Sequence, residues 1–298
     1  MMALNPSDYP ALANGVALKL QSWPGDPSLV AVGADGILGC RDSGRLYRLA
    51  SVTKLLSALT ILSAADEGVV SLNDQVGPPG ASLLHLLAHA SGVGFDGGKV
   101  RTSPGVRRIY SNIGIDLAAD HLGAQSGNDF RHEMRTRVLE PLGMHNTDLT
   151  GAPSKGGEGT IPDMARLAQE LLKPRVFPQA RIDVLSSLAY SGLGGILPGF
   201  GYQAENDWGA GAEIRAFKSP HWTSPENSPT TFGHFGMAGS FLWVDREAGL
   251  ACAALSTVDF GEWSLVSWPE TSTAVLRTYA STFPSTSSGS HVGHAVQF

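Results

Sequence analysis

Strand-type segments lie near both ends of this 298-residue chain and enclose a helical middle, and this order strongly limits the possible folds. Residues 28–40 are two short β-type runs joined at residues 34–36, where an Asp-Gly pair suits a tight hairpin. Two more β-type runs, at 240–245 and 249–258, meet at a second hairpin signal. The simplest closure puts both ends into one antiparallel sheet flanked by the terminal helices.

The middle of the chain carries apolar residues at helical spacing. The run from Ser51 to Gly68 has this spacing, and the pattern recurs, with Gly and Pro breaks, up to about residue 175. A last amphipathic segment at 269–281 predicts a C-terminal helix. The sequence therefore predicts an α/β (α+β) chain, which divides into three parts. These are a discontinuous sheet domain (1–50 and 205–281), a mainly helical domain (51–204) and a disordered tail (282–298).

Charge and cysteine content exclude several classes of protein. Lys and Arg total 21 against 27 Asp and Glu, so no basic surface is available for nucleic acid. The two cysteines, Cys40 and Cys252, form no metal or redox motif and are expected to be reduced. No stretch resembles a secretion signal or an 18-residue apolar span, which predicts a cytoplasmic protein without membrane contact. The sequence does not indicate an oligomeric state.

The first candidate site is Ser51-Val52-Thr53-Lys54 at the start of the first predicted middle helix. A three-residue step on a helix brings Ser51 and Lys54 onto one face, so that an amine with a lowered pKa can activate the hydroxyl. The helix N-terminus also favours developing negative charge near Ser51. Alone the pattern is weak, because a helix-capping serine followed by a solvated lysine has the same spacing.

Two further candidates follow in the chain. Tyr110 and Asn112 flank Ser111 at a loop-to-helix junction, where a phenol can relay protons and an amide can hold a substrate carbonyl. The alternative is a turn with an Asn cap and a packed tyrosine. His234 and Gly236 open a strand-like run in which the glycine permits close approach and the N–H of Met237 can serve an oxyanion. His-x-Gly occurs twice elsewhere in the chain, so only strand context selects this copy.

Taken in order, Ser-x-x-Lys, Tyr-x-Asn and His-x-Gly resemble the signature of the serine β-lactamase-like superfamily. This superfamily includes class C β-lactamases, D-Ala-D-Ala carboxypeptidases and related esterases. Residues 86–92 (LLAHASG) and 140–144 (EPLGM) are also similar to family segments, and the similarity extends from about residue 45 to 258. The resemblance implies a β-lactamase/transpeptidase-like fold, in which an antiparallel sheet flanked by terminal helices adjoins an all-helical domain.

The resemblance implies acyl transfer through a covalent acyl-enzyme that water then hydrolyses, with no metal and no cofactor. The implied roles divide into catalysis and substrate binding. The catalytic residues are Ser51 as nucleophile with Lys54 and Tyr110 as general base and proton relay, and the substrate-binding residues are Asn112, His234, Gly236 and Met237. In this scheme His234 takes the cationic or hydrogen-bonding role of the third motif, and the backbone amides of Ser51 and Met237 form the oxyanion hole.

The third motif departs from the family pattern, which usually has Lys first and Thr or Ser in the middle. Here His234 and Phe235 occupy those positions, and a phenyl ring donates no hydrogen bond to a substrate carboxylate. Arg215 and Lys218 are candidates to replace the missing cation. The sequence therefore favours an esterase or amidase acting on small uncharged acyl substrates. A β-lactamase or D-Ala-D-Ala carboxypeptidase is the enzymatic alternative, and a non-catalytic module that binds a peptide or small molecule is the other.

Two weaker features remain open. His85 and His89 stand four residues apart, a spacing that can chelate zinc, but no third ligand is evident, and the resemblance implies a structural role for His89. Five of the six tryptophans fall in the last third of the chain. They are expected mainly in the core, with Trp208 and Trp222 as candidate pocket residues. No G-x-S-x-G elbow occurs, which excludes an α/β-hydrolase.

Overall fold

The computed structural model describes residues 8–280, and the predicted tail at 282–298 lies outside this range. The strands, in chain order, are β1 (Ser28–Gly33), β2 (Gly36–Arg41), β3 (Tyr47–Arg48), β4 (Asp148–Leu149), β5 (Gly157–Gly159), β6 (Gly195–Leu197), β7 (Gly201–Gln203), β8 (Glu213–Ile214), β9 (Phe232–Gly236), β10 (Ser240–Asp245) and β11 (Leu250–Leu255). The helices are α1 (Asn14–Gln21), α2 (Thr53–Asp66), α3 (Leu83–Leu87), α4 (Asn112–Ser126), α5 (Phe130–Met134), α6 (Glu140–Leu142), α7 (Ile161–Leu172), α8 (Gln179–Ser186) and α9 (Glu262–Tyr279).

One six-stranded antiparallel sheet joins the two ends of the chain, in the order β2-β1-β11-β10-β9-β8. Both predicted hairpins are present, as β1–β2 and β10–β11. Strand β1 pairs with β11 so that Val30 lies opposite Ala253. This sheet, with helices on both faces, confirms the predicted fold class.

The two faces of the sheet are covered by different cores. On one face α1 and α9 pack against each other and over an aromatic cluster that includes Trp243 and Trp268. On the other face α7 packs on β1, β10 and β11 over a mainly aliphatic cluster. Because both faces are covered, all residues of β1, β10 and β11 are buried, which explains their almost continuous apolar sequence.

The middle of the chain forms the predicted helices α2 to α7 and also two small sheets, β3-β5-β4 and β6-β7. Strands of two or three residues leave no alternating pattern in a sequence, so these sheets were not predicted. The division at residues 50 and 205 stays a prediction. Helix α7 belongs to the predicted helical part but packs on the main sheet.

The C-terminal helix begins at Glu262, seven residues before the predicted start at Pro269. Proline usually marks a helix boundary, yet here it lies inside the helix and removes a single backbone donor. Among residues 8–280, no helix is both long and apolar enough to cross a membrane.

Candidate active site

Ser51 lies in a single 3-10 turn, Ala50–Val52, that leads directly into the buried helix α2. Ala50 has a φ of 44°, in the left-handed region that non-glycine residues avoid. The turn closes through Val52 N–H to Leu49 O (3.1 Å), and the same carbonyl accepts a hydrogen bond from Ser240 Oγ on β10 (2.7 Å). The sheet thus holds the serine in a strained turn at the N-terminus of a helix.

Lys54 lies one turn further along α2 and is completely buried. Its Nζ donates to Ser51 Oγ (3.0 Å), Asn112 Oδ1 (2.8 Å) and the carbonyl of Ser154 (2.8 Å). The structure therefore excludes the alternative of a solvated lysine beside a capping serine. The amine has a fixed position against the serine hydroxyl.

Burial lowers the pKa of Lys54 to about 7, because the charged ammonium loses its water. The negative charges of Asp116 and Asp96 raise the pKa of Lys54, and the positive charge of Lys155 lowers it further. The free amine of Lys54 is therefore accessible near neutral pH. That state is the one in which lysine can accept a proton.

Ser154 and Asp116 support the lysine, and neither was predicted from the sequence. Asp116 accepts hydrogen bonds from Ser154 N (2.9 Å) and Ser154 Oγ (3.1 Å), which fixes the loop whose carbonyl receives Lys54. Asp116 follows Asn112 by four residues on α4, so the two side chains share a helix face. That spacing was a signal for Asp116, whereas nothing in the sequence places a backbone carbonyl.

Tyr110 and Asn112 reach the site from the start of α4. Ser111, not Asn112, caps this helix, with its Oγ accepting from Gly114 N at 2.9 Å, so the Asn112 amide is free to face Lys54. The Lys54 Nζ lies 4.7 Å from the centre of the Tyr110 ring. Burial raises the pKa of the Tyr110 hydroxyl, although its hydrogen bond with Ser51 acts against this shift. The phenol is therefore protonated at neutral pH.

His89 contacts the residues around Tyr110, whereas His85 makes different contacts. His89 Nδ1 accepts from Ser111 N (3.2 Å), and its ring meets Trp208 edge-on at 4.6 Å. His85 instead binds Ser82 Oγ (2.8 Å) and stacks on Tyr190 at 4.2 Å. Residues 8–280 hold no group of three or more His, Cys, Asp or Glu side chains placed to bind a metal.

The third motif lies on β9, whose outer edge is paired with β8 only at Phe232 and Gly233. A Cβ at Gly236 would overlap the Leu49 carbonyl oxygen and Ser240 Oγ, so only glycine lets the strand approach the Ser51 turn this closely. Met237 follows, half-exposed, in a turn closed by Gly239 N–H to Gly236 O (3.1 Å).

His234 is buried and uncharged. Its Nδ1 donates to the carbonyl of Phe235 (2.7 Å), which leaves Nε2 as a hydrogen-bond acceptor without a partner among residues 8–280. Burial, reinforced by the nearby charge of Lys54, lowers its pKa to about 3. Of the two roles expected for His234, the cationic one is therefore excluded at neutral pH.

Neither candidate cation replaces the missing lysine of the third motif. Lys218 Nζ is paired with the buried carboxylate of Glu213 and donates to Asp207 O at 2.9 Å. Arg215 donates from Nε to the Ser224 carbonyl at 3.1 Å. Neither Arg215 nor Lys218 lines the cavity beside Ser51, so neither of these two candidates supplies a cation there.

A cavity of about 420 Å³ lies above Ser51, a size suited to a small-molecule substrate. Five of the seven predicted site residues line it, while Lys54 and Gly236 lie behind its wall. Its lining consists of Ala50, Ser51, Phe95, Asp96, Tyr110, Asn112, Lys155, Leu197, Pro198, Gly199, Trp208, Glu213, His234, Phe235, Met237 and Phe260. A larger polar cavity of about 680 Å³ around His145 contains none of the predicted site residues.

The two tryptophans singled out from the sequence separate here. Trp208 lines the cavity and contacts His234 edge-on, with ring centres 5.5 Å apart. Trp222 lies behind the wall, where its Nε1 donates to Glu213 at 2.9 Å and its ring packs on Phe235. Most of the aromatic side chains thus belong to the core, as expected, and Trp222 is not a pocket residue.

Comparisons with known proteins agree with this geometry. The beta-lactamase family model matches residues 41–271. The D-alanyl-D-alanine-carboxypeptidase/endopeptidase AmpH of Escherichia coli is 29% identical over 147 residues, which cover 37% of this chain and 38% of that protein. The match thus spans less than half of this curated relative.

Solved structures extend the likeness to most of the chain. A beta-lactamase of Mycobacterium bovis is 42% identical, with a TM-score of 0.87 over 89% of this chain and 99% of that one. The simvastatin synthase LovD of Aspergillus terreus has a TM-score of 0.73 at 15% identity, over 90% and 99% of the two chains, and so shares the fold. This chain therefore belongs to the beta-lactamase family of serine hydrolases.

Proposed function

We propose that the protein is an esterase or amidase that acts on small, uncharged acyl substrates through a covalent acyl-enzyme on Ser51. One observation carries the substrate class. The β9 residues that line the cavity beside Ser51 are the neutral His234 and Phe235, so this strand offers no cation there. An acyl group without charge fits such a wall better than one that carries a carboxylate.

The reaction begins at the Ser51–Lys54 contact. The free amine of Lys54 takes the hydroxyl proton of Ser51 across 3.0 Å while Oγ attacks the substrate carbonyl carbon and forms the new C–O bond. The carbonyl oxygen becomes an oxyanion, which we place between the backbone N–H groups of Ser51 and Met237. Neither amide takes part in the hydrogen bonds that close the two turns, since Val52 and Gly239 supply those donors.

Collapse of the oxyanion breaks the bond to the leaving group, which needs a proton. The Tyr110 hydroxyl, protonated at neutral pH and hydrogen-bonded to Ser51, is placed to donate it and is then reprotonated from Lys54. The same groups then work in reverse on water, which releases the acid and restores Ser51. The pKa values support this division of roles, because at neutral pH an amine with a pKa near 7 can be unprotonated and accept a proton, whereas a phenol whose pKa is raised keeps its proton.

The second candidate, a β-lactamase or D-Ala-D-Ala carboxypeptidase, has a specific basis. The M. bovis structure that is 42% identical is named a beta-lactamase, and AmpH is named a carboxypeptidase. Lys155 also lines the cavity and could meet a carboxylate, although the opposite charge of Asp96 lines the same cavity. A non-catalytic binding module is disfavoured, because binding alone does not require a buried lysine held against a serine.

A comparison of turnover distinguishes the candidates. Purified protein is assayed with p-nitrophenyl butyrate, penicillin G and an acyl-D-Ala-D-Ala peptide at equal concentrations. We expect kcat/KM for the ester to exceed the values for penicillin G and the peptide by about 100-fold or more. A loss of this size is expected when a charged substrate group is bound without a partner. Equal or faster turnover of penicillin or of the peptide would establish the second candidate, and turnover of none would favour the binding module.

A further inference from the structure

A second depression, here called the side groove, adjoins the catalytic cavity and plays no part in the chemistry described above. It has a volume of about 390 Å³ and shares Phe95, Tyr110 and Pro198 with the catalytic cavity. Its full lining is Phe95, Arg107, Arg108, Ile109, Tyr110, Gly195, Ile196, Pro198 and Tyr202. The two spaces meet at Tyr110, so a ligand that outgrows the first reaches the second.

The outer wall of the side groove is an exposed apolar pair on the β6–β7 hairpin. Ile196 and Tyr202 lie opposite each other across the two strands, so their side chains share a face. They are 64% and 71% exposed, and Phe95 across the groove is 50% exposed. Large apolar side chains grouped in this way indicate a surface that binds something.

The side groove is built rigidly. The buried guanidinium of Arg108 donates to the carbonyls of Ala88 (2.7 Å), Asn206 (3.0 Å) and Tyr190 (2.7 Å). Its backbone N–H donates to Gly194 O (2.9 Å), which ties the hairpin to the chain that leads into Tyr110. A Cβ at Gly195 would overlap the Arg108 carbonyl, so glycine is required at this contact.

The same hairpin serves both spaces. Ile196 faces the side groove, while Leu197, Pro198 and Gly199 line the catalytic cavity. Phe95 and Tyr110 stack at 5.9 Å and form the low ridge between the two. An apolar chain attached to a carbonyl at Ser51 that crosses this ridge meets the aromatic side chains of Phe95 and Tyr110.

We propose that the side groove binds an extended apolar arm of the substrate, so that the preferred substrates are esters or amides with an alkyl or aryl arm longer than the catalytic cavity encloses. This inference rests on the proposed function and narrows its substrate class. Each methylene group buried in the groove is expected to raise kcat/KM about fourfold until the groove is filled.

The test uses two series of esters, p-nitrophenyl esters from acetyl to octanoyl and alkyl acetates from ethyl to octyl. Ile196→Asp puts a carboxylate into the groove and Tyr202→Ala removes one side of it. Val266→Asp and Phe217→Ala change comparably exposed side chains elsewhere and serve as matched controls. We expect the groove variants to lower kcat/KM about tenfold for the longest ester of at least one series, through KM, and to leave the shortest esters within twofold.

Three outcomes would overturn the proposal. They are an equal loss for short and long esters, no loss for either, and a dimer that Ile196→Asp dissociates without any effect of chain length. Binding of methyl octanoate to Ser51→Ala, measured by calorimetry, separates this inference from the proposed function. If methyl octanoate binds, if Ile196→Asp abolishes this binding and if the wild-type protein turns over no ester, the groove is supported and the esterase is refuted. Turnover of short esters without any effect of chain length would support the esterase and refute the groove.

Discussion

The two walls of the catalytic cavity have opposite character. The helical wall, formed by Ser51, Tyr110 and Asn112 with Lys54 buried behind them, is a polar network in which the Lys54 amine donates to three oxygens. The sheet wall, formed by His234, Phe235 and Met237 with Trp208 and Phe260, is mainly aromatic and uncharged. In the function proposed above, the helical wall performs the reaction and the sheet wall selects the substrate.

The largest effect is expected from Ser51→Ala on the helical wall. This variant has no nucleophile, so kcat for p-nitrophenyl butyrate should fall by at least about 10⁴-fold while the fold remains intact. Stopped-flow and steady-state assays measure the loss. Ser43→Ala removes a serine hydroxyl that is hydrogen-bonded to Tyr47 and does not line the cavity, and it should keep full activity. Residual turnover above about 1% in Ser51→Ala would remove Ser51 from the mechanism.

Lys54→Arg comes next, because it keeps the charge and loses the base. Arginine stays protonated at any accessible pH, so kcat/KM should fall about 10³-fold, whereas the surface variant Lys19→Arg should be unaffected. In the wild type, kcat/KM should rise with pH and level off above about 7, where Lys54 loses its proton. If kcat/KM does not rise in this way between pH 5 and 9, another group is the base.

The lowered pKa of Lys54 also predicts how stability depends on pH. The unfolded lysine titrates near 10.5 and the folded one near 7, so between these values the unfolded chain binds more protons and stability rises with pH. Below pH 7 Lys54 is protonated in both states, and the folded state bears the full free-energy cost of burying its charge. Relative to Lys54→Met, the wild type should gain about 3 kcal/mol in unfolding free energy between pH 7 and 9.5, at 1.36 kcal/mol per pKa unit. Urea unfolding of both proteins at several pH values measures the difference between their unfolding free energies. A difference that does not change with pH would show that the pKa of Lys54 is not lowered.

Gly236→Ala tests the contact that joins the two walls. The added methyl overlaps the Leu49 carbonyl and Ser240 Oγ, and β9 must move away from the Ser51 turn. We expect kcat to fall about 30-fold, since small displacements of oxyanion donors reduce catalysis strongly. Gly15→Ala on α1, where a methyl meets nothing within 4 Å, is the matched control. Equal activity of the two variants would mean that the close approach of β9 is irrelevant to catalysis.

The smallest effect is expected from His234→Lys on the sheet wall. A cation there should raise the ratio of penicillin to ester acylation about tenfold, because it gives a carboxylate its partner. His121→Lys, at a partly buried site beside Asp74, controls for added charge. An unchanged ratio would show that the sheet wall does not select against carboxylates.

The sequence predicted the two hairpins and the Ser51–Lys54 contact because each depends on local residue spacing, whereas the grouping of Tyr110 and Asn112 with them was implied by the family resemblance. Ser51 and Lys54 are one helical turn apart, and their contact follows from that spacing. The supporting groups were missed because they depend on tertiary contacts. The Ser154 carbonyl reaches Lys54 from a loop 100 residues away, and the pairing of Lys218 with Glu213 becomes visible only when β8 is in place.

The most direct test of the division between the two walls is the intact mass of the wild-type protein after brief exposure to p-nitrophenyl butyrate or to penicillin G, followed by peptide mapping. We predict a butyryl adduct on the peptide that contains Ser51, and no penicilloyl adduct. A penicilloyl group on Ser51 at a comparable rate would contradict the selection that we assign to His234 and Phe235. A butyryl group on any other residue would contradict the mechanism itself.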